Sequence, residues 1–166
     1  MHILMERHGD ALTFYINWYI HDIHEAEDLM IEAFSRMICA KPRLSQNGFK
    51  AYLYKIARNL ALRYVRKRRR YCFFSLEGLD DDPKSEVLVE TVVQSGEQRR
   101  ILRKCMKQLS DDYCEALYLS YFENMSYSQA AKVMGKSIKQ IDHLLQRGKK
   151  KLRPLLEREG ITDANY

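Results

Sequence analysis

Eleven residues apart stand two copies of one pattern, Ser126-x-x-Gln129 and Ser137-x-x-Gln140, with Gly135 between them. In each copy the serine hydroxyl can accept from the amide three residues on, while the glutamine side chain reaches back to the serine amide. Both therefore mark helix starts. Gly135 allows the left-handed backbone that a tight turn between helices needs. The spacing predicts a short helix over 126–134, a turn at Gly135-Lys136 and a long helix over 137–156, with Pro154 kinking or ending it. Ala131 is small where the two helices cross. Ile141 and Leu144 are expected to hold the second helix in the crossing. With Ile141 inward, Ile138, Leu145, Gly148 and Leu152 lie within about 60° of it at 100° per residue. The opposite side then presents Lys136, Lys139, Gln140, His143, Gln146, Arg147 and Lys150, beginning at the cap Ser137.

Arg, Lys and Gln on a helix of this kind can bond base edges in a major groove while other cations meet phosphates. A solvated helix in a helical hairpin is the plainer alternative.

The charge distribution favours the polyanion. Residues 1–70 carry 13 Lys/Arg against 7 Asp/Glu, residues 71–96 carry 1 against 6, and residues 97–166 carry 14 against 9. Two basic blocks flank an acidic connector, the footprint of a chain that meets nucleic acid twice. Three prolines and seven glycines in 166 residues leave little punctuation and favour long helices. Apolar residues recur at helical steps from Asp10 to Tyr19 and from His24 to Ile38. Lys41 to Gly48 reads as a loop. A helix opening at Phe49 carries Phe49, Tyr52, Leu53, Ile56, Ala57, Leu60 and Tyr64 on one stripe.

Periodicity fades over 72–96, where Asp80-Asp81-Asp82-Pro83 signals a turn. We read this stretch as a flexible linker, with one short helix near 87–93. Further helices are expected over 97–109 and 111–122, the second capped by Ser110. The fold expectation is all-α: a helical domain over 1–71, the linker over 72–96, a four-helix domain over 97–160 and a tail over 161–166.

The helix from Phe49 shows Lys55, Arg58, Asn59, Leu62 and Arg66 on its outer side and runs into Lys67-Arg68-Arg69-Arg70, with Tyr54 interleaved. Cations mixed with rings suit opened or single-stranded DNA, where rings accept stacked bases. A cationic helix end also complements the macrodipole without any ligand. The preceding helix carries Glu27, Asp28 and Glu32, an acidic patch suited to a basic partner protein.

Several classes are excluded. The paired carboxylates have no accompanying nucleophile or base, so the chain is not read as an enzyme. Cys39, Cys72, Cys105 and Cys114 form no C-x-x-C pair and have no histidine at zinc-finger offset, so they read as buried or half-buried reduced thiols, with no metal and no cofactor. No run approaches 18 apolar residues, which predicts neither membrane insertion nor a secretory leader and points to the cytoplasm.

Two segments together resemble one family. Ala26-Glu27-Asp28-Leu29, with Phe49 to Ala61 and the arginine run, is similar to sigma region 2. Leu109 to Leu152, including Tyr121-Phe122-Glu123-Asn124-Met125-Ser126-Tyr127 and the helix pair, is similar to sigma region 4. The chain thus resembles an extracytoplasmic-function (group IV) RNA polymerase sigma factor.

The resemblance implies that Asp28, Leu29, Glu32 and Phe34 bind the clamp helices of core RNA polymerase. It implies that Ser45, Gln46, Asn47, Tyr54, Lys55, Arg58, Asn59, Leu62 and Arg66 recognise and melt the −10 element of promoter DNA. The last helix pair would read the −35 duplex through Lys136, Ser137, Lys139, Gln140, His143, Arg147 and Lys150, while region 4 also docks on the polymerase flap. An anti-sigma factor is a further partner the family admits. Ile31, Arg63, Asp142 and Leu144 depart from its usual residues. The competing reading is a helix-turn-helix regulator that uses only the second domain on DNA.

Overall fold

The computed structural model describes residues 2–40, 46–74 and 97–160. The chain divides into two compact units, Met1–Val92 and Val93–Tyr166. Every regular element among the described residues is a helix, as the all-α expectation requires. Most of the expected linker, including the short helix at 87–93, and the tail lie outside the described residues.

The first unit contains α1 (His2–Ile20), α2 (Ile23–Ala40) and α3 (Gln46–Phe74), each packed on the other two. The corner between α1 and α2 is made locally. His21 takes a left-handed conformation (φ 53°) that stops α1. Asp22 Oδ1 then accepts from the Glu25 amide at 3.3 Å and caps α2. Leu12, Ile16, Phe34 and Leu53 fill the centre, while Ala26, Ala33, Ala51, Ala57 and Ala61 let the helices approach closely. The Tyr15 ring meets Tyr54 at 5.0 Å between centroids and the edge of Tyr19 at 5.6 Å.

Two boundaries differ from expectation. α1 begins at His2, a full two turns before Asp10. α3 takes in Gln46, Asn47 and Gly48, which had read as loop. Composition marks these residues as turn formers, but the apolar face that follows them makes helix the better state.

In the second unit, α4 (Glu97–Met106) and α5 (Asp111–Leu117) lead through a π-helical turn, Tyr118–Phe122, to α6 (Tyr127–Met134) and α7 (Ile138–Arg158). Ser110 stands at the N-cap of α5 but makes no side-chain capping bond. The helix expected through Phe122 widens at its end, where the Glu123 amide donates to the Tyr118 carbonyl five residues back. Tyr118 Oη donates to Glu123 Oε1 at 2.8 Å across the same turn. Asn124, at φ 52°, reverses the chain into Met125, which is buried. α7 continues past Pro154 to Arg158.

Cys105 and Cys114 are buried, but Cys39 is exposed, contrary to the expectation for it. Burial, with the Asp111 and Glu115 carboxylates adding to it, pushes the Cys114 thiol up to about 12.

Candidate nucleic-acid interface

Both helices of the α6–α7 pair start as their local sequence requires. Ser126 Oγ accepts from the Gln129 amide at 3.2 Å and Gln129 Oε1 from the Ser126 amide at 2.8 Å. Ser137 and Gln140 repeat the arrangement at 3.2 and 2.8 Å. Gly135 stands at φ 66°, ψ 35°, and the Lys136 amide closes the turn onto the Ala131 carbonyl at 3.0 Å.

Ile141, Leu145, Gly148 and Leu152 are buried against the rest of the unit. Lys139, Gln140, His143, Gln146, Arg147 and Lys150 are exposed along the other side of α7. A helix so held offers one polar, largely cationic face to a groove.

Several residues of this pair serve differently from expectation. Ile138, placed on the inward side, is 54% exposed at the first residue of α7. Leu144 is only half-buried. Lys136 is held by Asp112 at 3.0 Å. The Ser137 hydroxyl and the Gln140 carbonyl oxygen are engaged in capping, which leaves Gln140 its amide nitrogen for a base edge.

In the first unit, Lys55, Asn59 and Arg66 are exposed on α3, and Arg58 and Leu62 are half-buried. Tyr54 is fully buried, so its ring cannot accept a stacked base and belongs to the core. Gln46 and Asn47 lie in the first turn of α3, and Ser45 lies outside the described residues. Farther along α3 the Tyr64 phenol is pushed up by burial and then by Glu25 of α2, with Arg68 opposing and Asp22 adding.

On α2, Asp28 is exposed, Leu29 and Glu32 are half-buried, and Glu32 pairs with Arg36. Phe34 is 1% exposed and packs in the core, so it is no docking residue. Ile31 had been noted as a departure from the family's usual residues and Ile38 counted with the apolar stripe of this helix; neither was named as a docking residue. They stand 47% and 41% exposed, seven residues and so about two turns apart on one side of α2. The available signal was Ile31, which lies off the inward stripe of this helix, whereas Ile38 had been counted on that stripe.

Among the described residues no group of His, Cys, Asp and Glu is placed to hold a metal ion, and no helix is long and apolar enough to cross a membrane.

Comparison with known proteins agrees with this arrangement in both halves. Residues 4–71 match the family described as Sigma-70 region 2, and residues 99–152 match Sigma-70, region 4. The ECF RNA polymerase sigma factor SigM of Bacillus subtilis is 32% identical over 146 residues, covering 86% of this chain and 85% of SigM. SigW of the same organism is 26% identical, covering 81% of this chain and 77% of its own. The sigma factor RpoE of Bartonella quintana, solved with the anti-sigma factor NepR, superposes with a TM-score of 0.66 at 25% identity. That match covers 89% of this chain and 90% of the other. The chain therefore belongs to the extracytoplasmic-function group of RNA polymerase sigma factors, and its function is the initiation of transcription.

Proposed function

We propose that the two units divide promoter recognition between two states of DNA. α7 reads the −35 element as duplex through Lys139, Gln140, His143, Arg147 and Lys150. α3 holds the −10 element as it opens, through Lys55, Arg58, Asn59, Leu62 and Arg66, with Ser45, Gln46 and Asn47 at its start. Lys136 and Ser137 set the angle and start of α7, while Tyr54 and Phe34 keep the first unit rigid. The chain acts by binding alone, in the cytoplasm, without a cofactor.

The α2 face of Asp28, Leu29 and Glu32, extended by Ile31 and Ile38, docks on the clamp helices of core polymerase. Its mixture of exposed carboxylates and isoleucines suits a basic, partly apolar partner. The second unit also meets the flap. An anti-sigma factor would act by covering these faces, and the Bartonella quintana relative has such a partner in NepR.

The observation that carries this reading is the doubly capped α6–α7 pair with its exposed cationic face, on a unit separate from the cationic α3. Run-off transcription with purified core polymerase tests it. Core with the full chain should initiate at a discrete promoter, whereas core alone should not. A conventional regulator would leave core inactive in both cases.

A further inference from the structure

α7 carries two rows of outward side chains. Lys139, His143 and Arg147 follow one another at four-residue steps and belong to the cationic face. Beside them Ile138, Asp142 and Gln146 follow at the same step. Ile138 is 54% exposed, Asp142 is half-buried and Gln146 is exposed. Ile138 and Asp142 do not suit a phosphate. Isoleucine has no donor, and a carboxylate beside phosphates adds repulsion.

Their place on the helix points to bases instead. In a helix-turn-helix the first turns of the second helix reach base edges while the first helix crosses the backbone. Over the first two turns of α7, Ile141 and Leu145 are buried and Leu144 is half-buried. Gln140 uses its carbonyl oxygen in the cap. Ile138 and Asp142 therefore share with Lys139 and His143 the positions best set for a groove floor.

The chemistry of each narrows its target to one base. A major groove exposes a single kind of apolar group, the C5-methyl of thymine, and an exposed isoleucine gains most by covering it. A carboxylate can only accept. Cytosine offers the N4 amine as a donor, whereas the N6 amine of adenine stands beside the N7 acceptor, which repels a carboxylate. Gln146 Nε2 donates to Asp142 Oδ2 at 3.1 Å from one turn on, which orients the carboxylate and lets its other oxygen meet a donor. Side chains four apart on a helix stand about 5–6 Å apart at Cβ. Successive bases of a strand rise by about 3.4 Å. The two residues thus reach base pairs one or two steps apart.

We propose that Ile138 and Asp142 select bases in the −35 duplex, Ile138 by packing on a thymine methyl and Asp142 by accepting from a cytosine amine one or two base pairs away. This role rests on the reading of α7 as the −35 reader and adds two bases to those that the cationic row meets. Asp142 departs from the usual residue of the family, so the cytosine preference is particular to this chain.

The test assembles the unsubstituted full chain, Ile138→Ala and Asp142→Asn with core polymerase. Each holoenzyme selects duplexes from a pool of random sequence, and the enriched duplexes are sequenced. The unsubstituted chain should enrich thymine at one position and cytosine one or two base pairs away. Ile138→Ala should lose the thymine preference and keep the cytosine. Asp142→Asn should exchange cytosine for adenine, by about tenfold in relative affinity, since asparagine bonds adenine N6 and N7 together. Deoxyuridine in place of the enriched thymine removes only the methyl group. It should weaken binding of the unsubstituted chain about fourfold, as expected for one buried methyl, and leave Ile138→Ala unchanged.

The same enriched sequence from all three chains overturns the role of both residues. Equal effects of deoxyuridine on the unsubstituted chain and on Ile138→Ala overturn the methyl contact. A uniform gain in affinity for Asp142→Asn, with cytosine still preferred, overturns the amine contact and leaves the carboxylate as a repelling charge. Weaker assembly of Ile138→Ala with core, at unchanged base preference, overturns the methyl contact in favour of a protein surface. Failure of the proposed function is distinct, for then the unsubstituted holoenzyme would enrich no sequence and would not initiate.

Discussion

Lys136 Nζ lies 3.0 Å from Asp112 Oδ2, which ties the turn before α7 to the first turn of α5. The pair joins residues 24 apart in sequence, so it steadies α7 against the remainder of its unit. Lys136→Ala should therefore act mainly on stability, by about 0.2–1 kcal/mol for a partly exposed pair. Arg147→Ala should instead weaken binding to the −35 duplex by about 1–3 kcal/mol if it meets a guanine edge. Fluorescence titration of both variants on one duplex checks this. A larger binding loss for Lys136 would return it to the DNA face.

The capping serines make a second separation of roles. Ser126→Ala and Ser137→Ala should each cost about 1 kcal/mol in urea denaturation of the full chain. Ser137→Asp, which can accept the same amide bond, should recover most of that stability. No recovery would mean that the hydroxyl serves something other than the cap.

At Gly148, α7 passes close to Leu117 and Tyr113 of α5. A Cβ there would stand 3.2 Å from Leu117 Cδ1 and 3.4 Å from Leu117 Cγ, with Tyr113 Cβ at 3.5 Å. Leu117 is itself buried and has little room to move. Gly148→Val should lower stability by about 1–3 kcal/mol through overpacking. Gly148→Ala should cost less, because alanine regains up to about 1 kcal/mol of helix propensity. Thermal melts followed by circular dichroism should rank the three chains in that order.

Opening of DNA can be separated from duplex reading by the template. Charge reversal at Lys55 and Arg58 should impair open-complex formation on a duplex promoter. A pre-melted bubble should partly restore it, since the bubble removes an unstacking cost of a few kcal/mol. Lys139→Ala and Gln140→Ala should gain nothing from the bubble. Permanganate footprinting of unpaired thymines reports both, and equal rescue of the two classes would refute the division of labour.

Cys114 gives a pH signature. Its thiol rises from 9.0 to about 12 on folding, through burial first and the Asp111 and Glu115 charges second. The proton is thus bound more tightly in the folded state. That stabilisation is full below pH 9 and is lost as pH climbs toward 12. Cys114→Ala should make stability less steeply dependent on pH in that window. Thiol labelling near neutral pH should modify exposed Cys39 well before Cys105 or Cys114, as peptide mass mapping would show.

The elements legible in the sequence are those whose causes lie within a turn or two of chain. Ser126–Gln129, Ser137–Gln140 and Gly135 announced the α6–α7 pair because each bond they make spans a few residues. The all-α architecture and the α7 face of Lys139, His143, Arg147 and Lys150 followed from helical periodicity for the same reason. Tertiary packing decided which residues on a stripe are covered. α3 packs on two helices at once, so its buried arc is wider than one stripe and takes in Tyr54, which had looked outward. Ile138 shares the inward side of α7 with Leu145, yet at the first residue of the helix it stays 54% exposed. The pairing of Lys136 with Asp112 arises between residues distant in sequence. Periodicity gives a residue's angle about its helix, whereas exposure also depends on how far the neighbouring helices extend.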